Sequence, residues 1–570
     1  MATMARKDLS DAAAGPLLLL ALVALAGCGG EVEASNPTQS EASGPSVELE
    51  FPPLGRTTRT PGEPAPTGSA AKTAPRPTET LTEGIEPPEP EALLAGALDR
   101  PVARILDEAR QRAFDASKGR CAPHQTTIAI ECVDLSTGLR LVSSRSEEPM
   151  VPASNLKVVT AGAALLGLGA DAQFETVFEA IGAIAGGRLD GDLVVRAGAD
   201  PMHRREGDGS LTPWFDELAA DLRAAGIDSI SGDVVLDHGP FVPLGTGPEW
   251  PDSRQHWQQY CGLASGFSAN GGAYRVTVSS SERSARIVLR PRNHGLSRRG
   301  TVDVGGKAND LRVGANAGGV TVGGKVPAGF GPFVKEFRHP DPDRLFASTL
   351  RGALADRGIR FGRVLMPGEA SAAREGRGSV VHVMRSPVRS ILEAVLGDSN
   401  NPVSDQLFAL VGGRVAGDGS RAGSAAAIRS ILVDHGVDVT GLVQVEGSGL
   451  SRANRVTART LCDVHAAVAS SPELAGAYIE ALLRSGVDEK LADRMVGTAA
   501  EDRVVAKTGW IGGASSFSGL VLDDDDSPRL AFAILVSYPR VSGLNTKAWK
   551  PMQDELCALF ASGLTLLGPR

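Results

Sequence analysis

Ser154 and Lys157 lie three positions apart in the stretch Val151–Thr160, directly before the apolar run Ala161–Leu165. Residues three apart share one face of a helix, so a helix that begins near Ser154 would place a hydroxyl beside an amine. An amine can activate a serine nucleophile where no histidine serves as its base. Taken alone the spacing is weak, because Ser-x-x-Lys is expected about once or twice by chance in a chain of this length. The default interpretation of this motif by itself is a helix start with a solvated lysine.

Two further short motifs follow in the C-terminal half of the chain. Ser399-x-Asn401 comes after a predicted helix, and Lys507-Thr508-Gly509 sits on a predicted strand. Ser-x-x-Lys, Ser-x-Asn and Lys-Thr-Gly, in this order, are the signature of penicillin-recognising serine acyl-transferases. The three together reduce the probability of coincidence to roughly a few per cent. The sequence therefore predicts an enzyme that forms an acyl-enzyme intermediate.

Each predicted catalytic residue has a chemical task. Ser154 would attack a carbonyl carbon, and Lys157 can take its proton only if the amine is neutral. Burial and a neighbouring cation such as Lys507 are predicted to lower the pKa of Lys157. The hydroxyl of Ser399 can relay a proton to the leaving amine, and the amide of Asn401 can hold both Lys157 and a substrate peptide group.

The predicted substrate-binding residues lie on the Lys-Thr-Gly strand. Lys507 and Thr508 suit a terminal carboxylate, because they offer a fixed positive charge and a hydroxyl donor. Gly509 and Trp510 continue the same edge. The oxyanion hole is expected to consist of the backbone N–H groups of Ser154 and Trp510.

Composition excludes several other classes of function. The chain has 570 residues, 42% of them hydrophobic, which predicts two to four domains. It shows no block of basic residues and only 4% aromatic residues, so a nucleic-acid partner is not expected. The nine histidines and six cysteines have no metal-ligand spacing, and neither a metal nor a cofactor is expected. Cys121 and Cys132 are spaced so that they could bridge a hairpin.

The N-terminal residues predict export. Arg6 and Lys7 precede an uncharged run of signal-peptide length that ends at Leu25-Ala-Gly-Cys28. Small residues before a cysteine resemble a bacterial lipobox, in which Cys28 would carry the lipid; an ordinary signal peptide is the alternative. Residues 1–28 are thus the predicted lipoprotein signal peptide. Residues 29–95 hold eleven Glu and only four Arg or Lys and are rich in Pro, which predicts a disordered tether. By analogy with known sorting rules, Gly29 after the cysteine favours the outer membrane.

The rest of the chain divides into regions that differ in predicted secondary structure. A helix is predicted over Pro101–Phe114, with Pro101 in its first turn, and a hairpin over residues 126–142. Residues from about 180 to 365 read as an α/β unit interrupted by a Gly-rich, strand-like stretch. The C-terminal part is helix-rich and ends in strands dense in apolar residues. The predicted fold class is therefore α+β and multidomain, with a central antiparallel sheet covered by helices.

The chain resembles the D-alanyl-D-alanine carboxypeptidase/endopeptidase family of class C penicillin-binding proteins, of the penicillin-binding protein 4 type. Besides the three motifs, Pro152-Ala-Ser-Asn-Leu-Lys157 and the block Gly447-Ser-Gly-Leu-Ser-Arg452 with Asn454-Arg-Val-Thr457 carry the resemblance. It implies a serine-type D-Ala-D-Ala carboxypeptidase that acts on peptidoglycan stem peptides and that β-lactams inhibit covalently. It also implies a bacterial periplasmic location and a place for Asp200 beside the pocket for the substrate's side-chain amine.

The resemblance further implies a β-lactamase/transpeptidase-like domain interrupted by an inserted α/β domain, which itself carries an inserted β-rich domain. The boundaries expected are 96–178 and 368–570 for catalytic domain I, 179–264 and 332–367 for domain II, and 265–331 for domain III.

Three residues depart from the family pattern. Glu446 stands where Asp is common, Asp398 where a basic residue is common, and Trp510 where a small residue is usual. These departures leave two alternatives open: a β-lactamase-like or esterase hydrolase on the same scaffold, and a non-catalytic protein that binds the cell wall.

Overall fold

The computed structural model describes residues 90–200, 212–369 and 378–567; the predicted signal peptide with Cys28 and most of the predicted tether lie outside these residues. Within the described residues the α-helices are α1 (Pro90–Ala116), α2 (Leu156–Leu168), α3 (Thr212–Ala224), α4 (Pro342–Asp356), α5 (Val388–Leu392), α6 (Asn401–Val415), α7 (Arg421–Asp434), α8 (Ala458–Ala469), α9 (Pro472–Ala481) and α10 (Lys550–Leu567).

The strands of the described residues fall into two larger sheets and three small ones. They are β1 (Thr127–Asp134), β2 (Arg140–Ser144), β3 (Gln173–Ala185), β4 (Arg188–Arg196), β5 (Ser229–Ile230), β6 (Val234–Asp237), β7 (Ala273–Ser280), β8 (Ala285–Arg290), β9 (Ser297–Arg299), β10 (Asp303–Val304), β11 (Arg312–Asn316), β12 (Gly319–Gly323), β13 (Lys325–Val326), β14 (Phe333–Arg338), β15 (Val364–Leu365), β16 (Ser379–Pro387), β17 (Leu483–Arg484), β18 (Val504–Ile511), β19 (Ala514–Leu522) and β20 (Pro528–Ser537).

The first helix is longer than the sequence predicted. It begins at Pro90, inside the linker predicted for residues 29–95, and Pro101 lies in its interior rather than in its first turn. A proline there removes one backbone hydrogen bond, at a cost of about 3 kcal/mol. Leu98 and Val102, on either side of the proline, are both buried in the cluster that joins α1 to α10. Burial of an apolar stripe that continues through Pro101 offsets the lost bond, and the linker prediction was wrong for its last residues.

The first of the two larger sheets is antiparallel and has the strand order β17-β18-β19-β20-β1-β2. Alternate side chains of β1 point to opposite faces: Ile128 and Ile130 join the cluster under α1 and α10, whereas Ala129 joins the cluster of the other helix layer. The antiparallel sheet covered by helices that the sequence predicted is therefore present, with a core on each face.

Helix α2 lies at the centre of the second layer and is apolar around its circumference, as expected for a helix buried on all sides. It packs against α6, α7 and α8. Gly162 permits the approach of α8, because an added Cβ would overlap the side chain of Val464. Packing against these helices therefore fixes the position of the start of α2, which carries Lys157.

The second larger sheet is mixed, in the order β15-β6-β4-β3-β16, with β5 added beside β4. Its pairs β16-β3 and β3-β4 are antiparallel, and β4-β6 and β6-β15 are parallel. Helices α3 and α4 share a core with it. The predicted boundary at 178/179 falls inside β3, and β16 follows the predicted boundary at 367/368, so the division into domains remains a prediction.

Strands β7 to β14 form the three small sheets β14-β7-β8, β11-β12-β9 and β10-β13. They enclose an apolar cluster of their own that includes Tyr274, Val276 and Phe337. This is the β-rich character that the sequence predicted for residues 265–331, although β14 continues it to Arg338.

The five cysteines within the described residues are free and buried. The possible bridge between Cys121 and Cys132 is not formed; Cys121 Sγ lies 3.4 Å from Thr126 Oγ1, and Cys132 points from β1 into the core. Among the helices described, none is both long and apolar enough to cross a membrane.

Candidate active site

Ser154 lies in a short 3₁₀ turn, Ala153–Asn155, that leads directly into α2. Ala153 has a φ of 48°, a left-handed conformation that costs a non-glycine residue about 1–3 kcal/mol. Its carbonyl oxygen packs so closely on Gly449 that an added Cβ would overlap it. The Gly447–Thr457 block, noted in the sequence, therefore holds this strained turn, which we call the Ser154 turn.

Lys157 joins the first two motifs. Its side chain is fully buried, and Nζ donates hydrogen bonds to Asn401 Oδ1 at 2.7 Å and to the carbonyl oxygen of Ser448 at 2.6 Å. Ser154 Oγ lies 3.3 Å from the same Nζ. The Nδ2 group of Asn401, the first residue of α6, donates to the carbonyl oxygen of Tyr260 at 3.0 Å, which fixes the orientation of the amide. The serine, the lysine and the asparagine thus form one hydrogen-bonded cluster.

Burial lowers the pKa of Lys157 to about 8, although the carboxylates of Glu446 and Asp405 act in the opposite direction. Burial together with Glu446 raises the pKa of Asp405 well above its usual range. The predicted fall in the pKa of Lys157 is present, with burial as its main cause, and repulsion between Lys157 and Lys507 lowers the pKa of Lys507.

Lys507 is also fully buried, on β18. Its Nζ donates to Ser399 Oγ at 2.9 Å and to the carbonyl oxygen of Thr508 at 2.8 Å. Burial holds the pKa of Lys507 well below its usual range, and the charges of Lys157 and Lys490 act in the same direction. Ser399 itself has a φ of 63°, so the second motif includes a residue in a strained conformation, whereas at the first motif the strained residue is Ala153, directly before Ser154.

Asn155 fastens the Ser154 turn to the sheet. Its Nδ2 group donates to the carbonyl oxygen of Lys507 at 3.2 Å and to Ser516 Oγ at 2.8 Å. Ser516 Oγ in turn donates to the carbonyl oxygen of Pro152 at 2.6 Å. At Gly509 an added Cβ would overlap Ser516 Oγ and lie 3.0 Å from both nitrogen atoms of Asn155. The glycine of the Lys-Thr-Gly motif is therefore required by this close approach of turn and strand.

Two pockets meet at Ser154 and Trp510. The larger has a volume of about 500 Å³. Besides Ser154 and Trp510 its lining includes Asn401, Tyr260, Asp252, Arg452 and Arg540. Of these charged groups, Asp252 is already bonded to Arg254. Arg452 and Arg540 therefore give the larger pocket a net positive lining, unlike that of an ordinary apolar cavity.

The smaller pocket, on the other side of Trp510, has a volume of about 290 Å³ and is lined by Ser399, Thr508 and Gly509 together with Lys490 and Lys550. Trp510 is 53% exposed, and its Nε1 donates to the hydroxyl of Tyr538 at 3.0 Å. Trp510 thus lines both pockets. A hydroxyl beside a buried amine of lowered pKa, at the junction of two pockets, is an arrangement suited to acyl transfer.

The model of the D-Ala-D-Ala carboxypeptidase 3 (S13) family matches residues 119–559. The chain belongs to this family. A D-alanyl-D-alanine carboxypeptidase of Actinomadura sp. (strain R39) is 30% identical over 422 residues, which cover 71% of this chain and 76% of the relative. The predictions of the family and of the enzyme class, a carboxypeptidase, are confirmed.

Among solved structures, penicillin binding protein 4 (dacB) of Haemophilus influenzae matches with a TM-score of 0.64 at 22% identity, over 81% of this chain and 99% of that one. The same protein complexed with a novel β-lactam matches with a TM-score of 0.60 at 23% identity, over 79% and 97% of the two chains. At these identities the match concerns the fold, and it confirms the predicted fold class.

Three further residues that the sequence singled out in this S13-family chain are Asp200, Asp398 and Glu446. Asp200 is fully buried and is not among the residues that line the two pockets at Ser154, so its place beside the substrate's side-chain amine stays a prediction. Asp398 closes the turn before Ser399, where its backbone N–H donates to the carbonyl oxygen of Glu393. Glu446 is fully buried; its Oε1 accepts from the N–H of Gly449 at 2.6 Å.

Sequence reasoning missed Asn155, Ser516, Tyr260 and Asp405. The sequence offered one signal for these contacts. The glycine in Lys-Thr-Gly indicates that a neighbouring group lies too close to the strand for a side chain to fit. Within the described residues no cluster of three or more His, Cys, Asp or Glu side chains could hold a metal ion.

Proposed function

We propose that this chain is a serine-type D-Ala-D-Ala carboxypeptidase/endopeptidase that acts on peptidoglycan stem peptides through an acyl-enzyme on Ser154. The observation that carries the proposal is the cluster of Ser154, Lys157 and Asn401 at the junction of two pockets. Family membership supplies the reaction class, and the contacts support the task that we propose for each residue.

In acylation, Ser154 Oγ attacks the carbonyl carbon of the scissile peptide bond, and its proton passes to the neutral amine of Lys157. The negative charge on the carbonyl oxygen is stabilised by the N–H groups of Ser154 and Trp510. The amide C–N bond then breaks and leaves an ester on Ser154. The leaving amine takes the proton that Lys157 received from Ser154, and Ser399 Oγ, which accepts a hydrogen bond from Lys507, acts as the relay.

The smaller pocket fits the leaving group. Thr508 and Gly509 line it together with Lys490 and Lys550. Lys507 donates a hydrogen bond to Ser399, which also lines this pocket. A carboxylate at the end of the peptide would meet a hydroxyl donor in a field of positive charge. The larger pocket remains for the part of the stem peptide that stays on the enzyme.

In deacylation, water attacks the ester carbonyl carbon and gives a proton to Lys157; the bond from that carbon to Ser154 Oγ breaks, Lys157 returns the proton to Oγ, and the carboxylic acid product leaves. The sequence has no recognisable counterpart of the glutamate that deacylates class A β-lactamases. A β-lactam would acylate Ser154 in the same way as the peptide, and its adduct would persist. The Haemophilus influenzae protein has been solved complexed with a novel β-lactam, which supports binding of a β-lactam by this chain.

We further propose that the protein is exported and periplasmic and that lipid on Cys28 anchors it to a bacterial membrane, the outer membrane being favoured. Residues 29–95 would then act as a tether, and no other membrane contact is needed. Labelling with a radioactive fatty acid in cells tests this; wild type should incorporate label and Cys28→Ala should not.

The enzymatic proposal is tested with the full-length chain in detergent. Wild type should bind fluorescent penicillin covalently and release D-alanine from a pentapeptide that ends in D-Ala-D-Ala, and Ser154→Ala should do neither. Absence of both reactions in wild type would favour a non-catalytic wall-binding protein. Rapid turnover of penicillin without cleavage of the peptide would favour a β-lactamase-like hydrolase.

A further inference from the structure

A row of buried polar side chains connects α8 and α9 to the Ser154 turn. The hydroxyl of Tyr478 lies 3.0 Å from His465 Nδ1, and His465 Nε2 lies 2.9 Å from Ser518 Oγ. Ser518 Oγ lies 2.5 Å from Asn155 Oδ1. All four side chains are fully buried. None of the three motifs includes His465 or Tyr478, so the catalytic mechanism leaves them without a task.

The direction of this row follows from its end at the sheet. The carbonyl oxygen of Lys507 can only accept, so the atom of Asn155 that faces it must be Nδ2, a donor. Asn155 Oδ1 therefore faces Ser518, and the hydroxyl of Ser518 must donate to it. With its proton used in this way, Ser518 accepts from His465.

The same logic fixes the histidine. Burial lowers the pKa of His465 to about 3, so the ring is neutral, with one donor and one acceptor nitrogen. Nε2 carries the hydrogen that is donated to Ser518, which leaves Nδ1 to accept from the hydroxyl of Tyr478. Each group in the row thus donates toward the active site, and no buried atom of His465 remains without a partner.

We propose that His465 is a positioning residue for acyl transfer, which acts through Ser518 to hold the side-chain amide of Asn155 in its clamping orientation. This inference rests on the proposed function. Asn155 joins the Ser154 turn to β18, and the two N–H groups proposed for the oxyanion hole, those of Ser154 and Trp510, lie on opposite sides of this joint. The separation of the two donors depends on the clamp.

Without His465 the hydroxyl of Ser518 is free to rotate away from Asn155. If the amide of Asn155 then turned over, its Oδ1 would face the carbonyl oxygen of Lys507, and two acceptors would oppose each other. The turn and the strand would separate, and the oxyanion donors with them. Loss of one such donor costs about 10²–10³ in rate, and we expect a displaced donor to cost about tenfold or more.

The test uses the full-length chain with His465→Leu, which removes the donor at similar volume, and His465→Gln, which restores an N–H donor. We measure the rate of acylation by fluorescent penicillin, the affinity for a peptide boronic acid, KM for the pentapeptide, and the unfolding temperature. Boronic acids form a tetrahedral adduct on the serine, so their affinity reports the oxyanion hole.

We expect His465→Leu to lower the acylation rate and the boronate affinity by the same factor of about ten or more, with KM within about twofold. His465→Gln should recover most of both. Ser518→Ala should show a similar loss, and adding His465→Leu to it should change little, because the two residues act in series. Cys462→Ala is the matched control on α8, since Cys462 is buried but bonded to carbonyl oxygens of β1 and β20.

An acylation rate for His465→Leu within twofold of wild type overturns the inference. So does additivity with Ser518→Ala, or an equal loss in Cys462→Ala, because either would show a general effect of core packing. If wild type itself does not react with penicillin, the proposed function fails first. If wild type reacts and His465→Leu reacts equally well, only the role of His465 fails.

Discussion

Lys157 Nζ lies 3.3 Å from Ser154 Oγ, with the carbonyl oxygen of Ser448 and the amide oxygen of Asn401 as its other partners. Three oxygen acceptors around one buried amine favour its charged form, whereas burial favours the neutral form. Burial prevails, and the pKa of Lys157 is lowered to about 8. The amine is therefore poised to exchange a proton near neutral pH.

This pKa predicts the pH dependence of acylation. Below pH 8 Lys157 is mostly protonated and cannot take the proton of Ser154, so the rate of acylation by penicillin should rise with pH. It should level off above about pH 8, where the amine is neutral. Stopped-flow measurement of acylation from about pH 6 to about pH 10, roughly two units on either side of this pKa, at constant ionic strength checks the prediction. A rate that is flat across this range would contradict the assignment of Lys157 as the base.

Glu446→Gln should move this profile. The carboxylate of Glu446 stabilises the charged form of Lys157, so removal of its charge should lower the pKa of Lys157 and shift the half-maximal rate to lower pH. Glutamine keeps an oxygen for the N–H of Gly449. Glu446→Asp, which keeps the charge, is the control and should leave the half-maximum near that of wild type. A shift to higher pH in Glu446→Gln would show that Glu446 does not act on Lys157 through its charge.

The helices and strands that depend on local hydrophobic pattern could be predicted from the sequence. The helix after Ser154 follows from its apolar run, and the strand that carries Lys507 follows from its apolar neighbours. The order of three short motifs then indicated that they meet. Conversely, periodicity placed Pro101 at a helix start, because a proline in a helix interior is normally excluded, and the burial of Leu98 decided otherwise.

Contacts between distant positions could not be predicted in this way. The bond from Asn155 to Ser516 joins residues 361 positions apart, and neither residue type stands out where it occurs. The carboxylates of Glu446 and Asp405 look like surface charges in the sequence, yet both are buried beside Lys157. The resemblance implied a place for Asp200 beside the substrate pocket, which stays a prediction because its side chain is buried and is not in the lining of the pockets at Ser154.

Gly509→Ala tests the close approach of the Ser154 turn to β18. The added methyl group would overlap Ser516 Oγ and crowd the backbone nitrogen of Asn155, so the turn and the strand must separate. We expect acylation to fall by about 10² or more, as for loss of an oxyanion donor. Gly512→Ala is the control, because the nearest atom to its added Cβ is 3.6 Å away on the side chain of Arg452. Equal activity of the two variants would mean that the strand does not set the oxyanion hole.

Thr508→Val tests recognition of the terminal carboxylate in the smaller pocket. Valine keeps the shape of threonine and removes the hydroxyl donor, so kcat/KM for a peptide with a free C-terminal carboxylate should fall about tenfold, the value of one charge-assisted hydrogen bond. The same peptide with a C-terminal carboxamide serves as the internal control and should lose much less. A loss of equal size for both peptides would indicate a distorted strand instead of a lost contact.

Trp510 should set the size of the acyl group that the enzyme accepts. Trp510 lines both pockets, and we propose that its indole, held by the hydrogen bond from Nε1 to the hydroxyl of Tyr538, is the wall between them. Trp510→Ala would remove this wall and join the pockets while leaving the backbone N–H in place. Acylation by a β-lactam with a small side chain should then change by less than about threefold, whereas acylation by one with a bulky side chain should become faster, by about tenfold, since the steric barrier is gone. Tyr538→Phe, which removes the hydroxyl but keeps the ring, is the matched control and should change the ratio of the two rates only slightly. If Trp510→Ala slowed both β-lactams equally, the indole would act by supporting β18 and not by limiting the cleft.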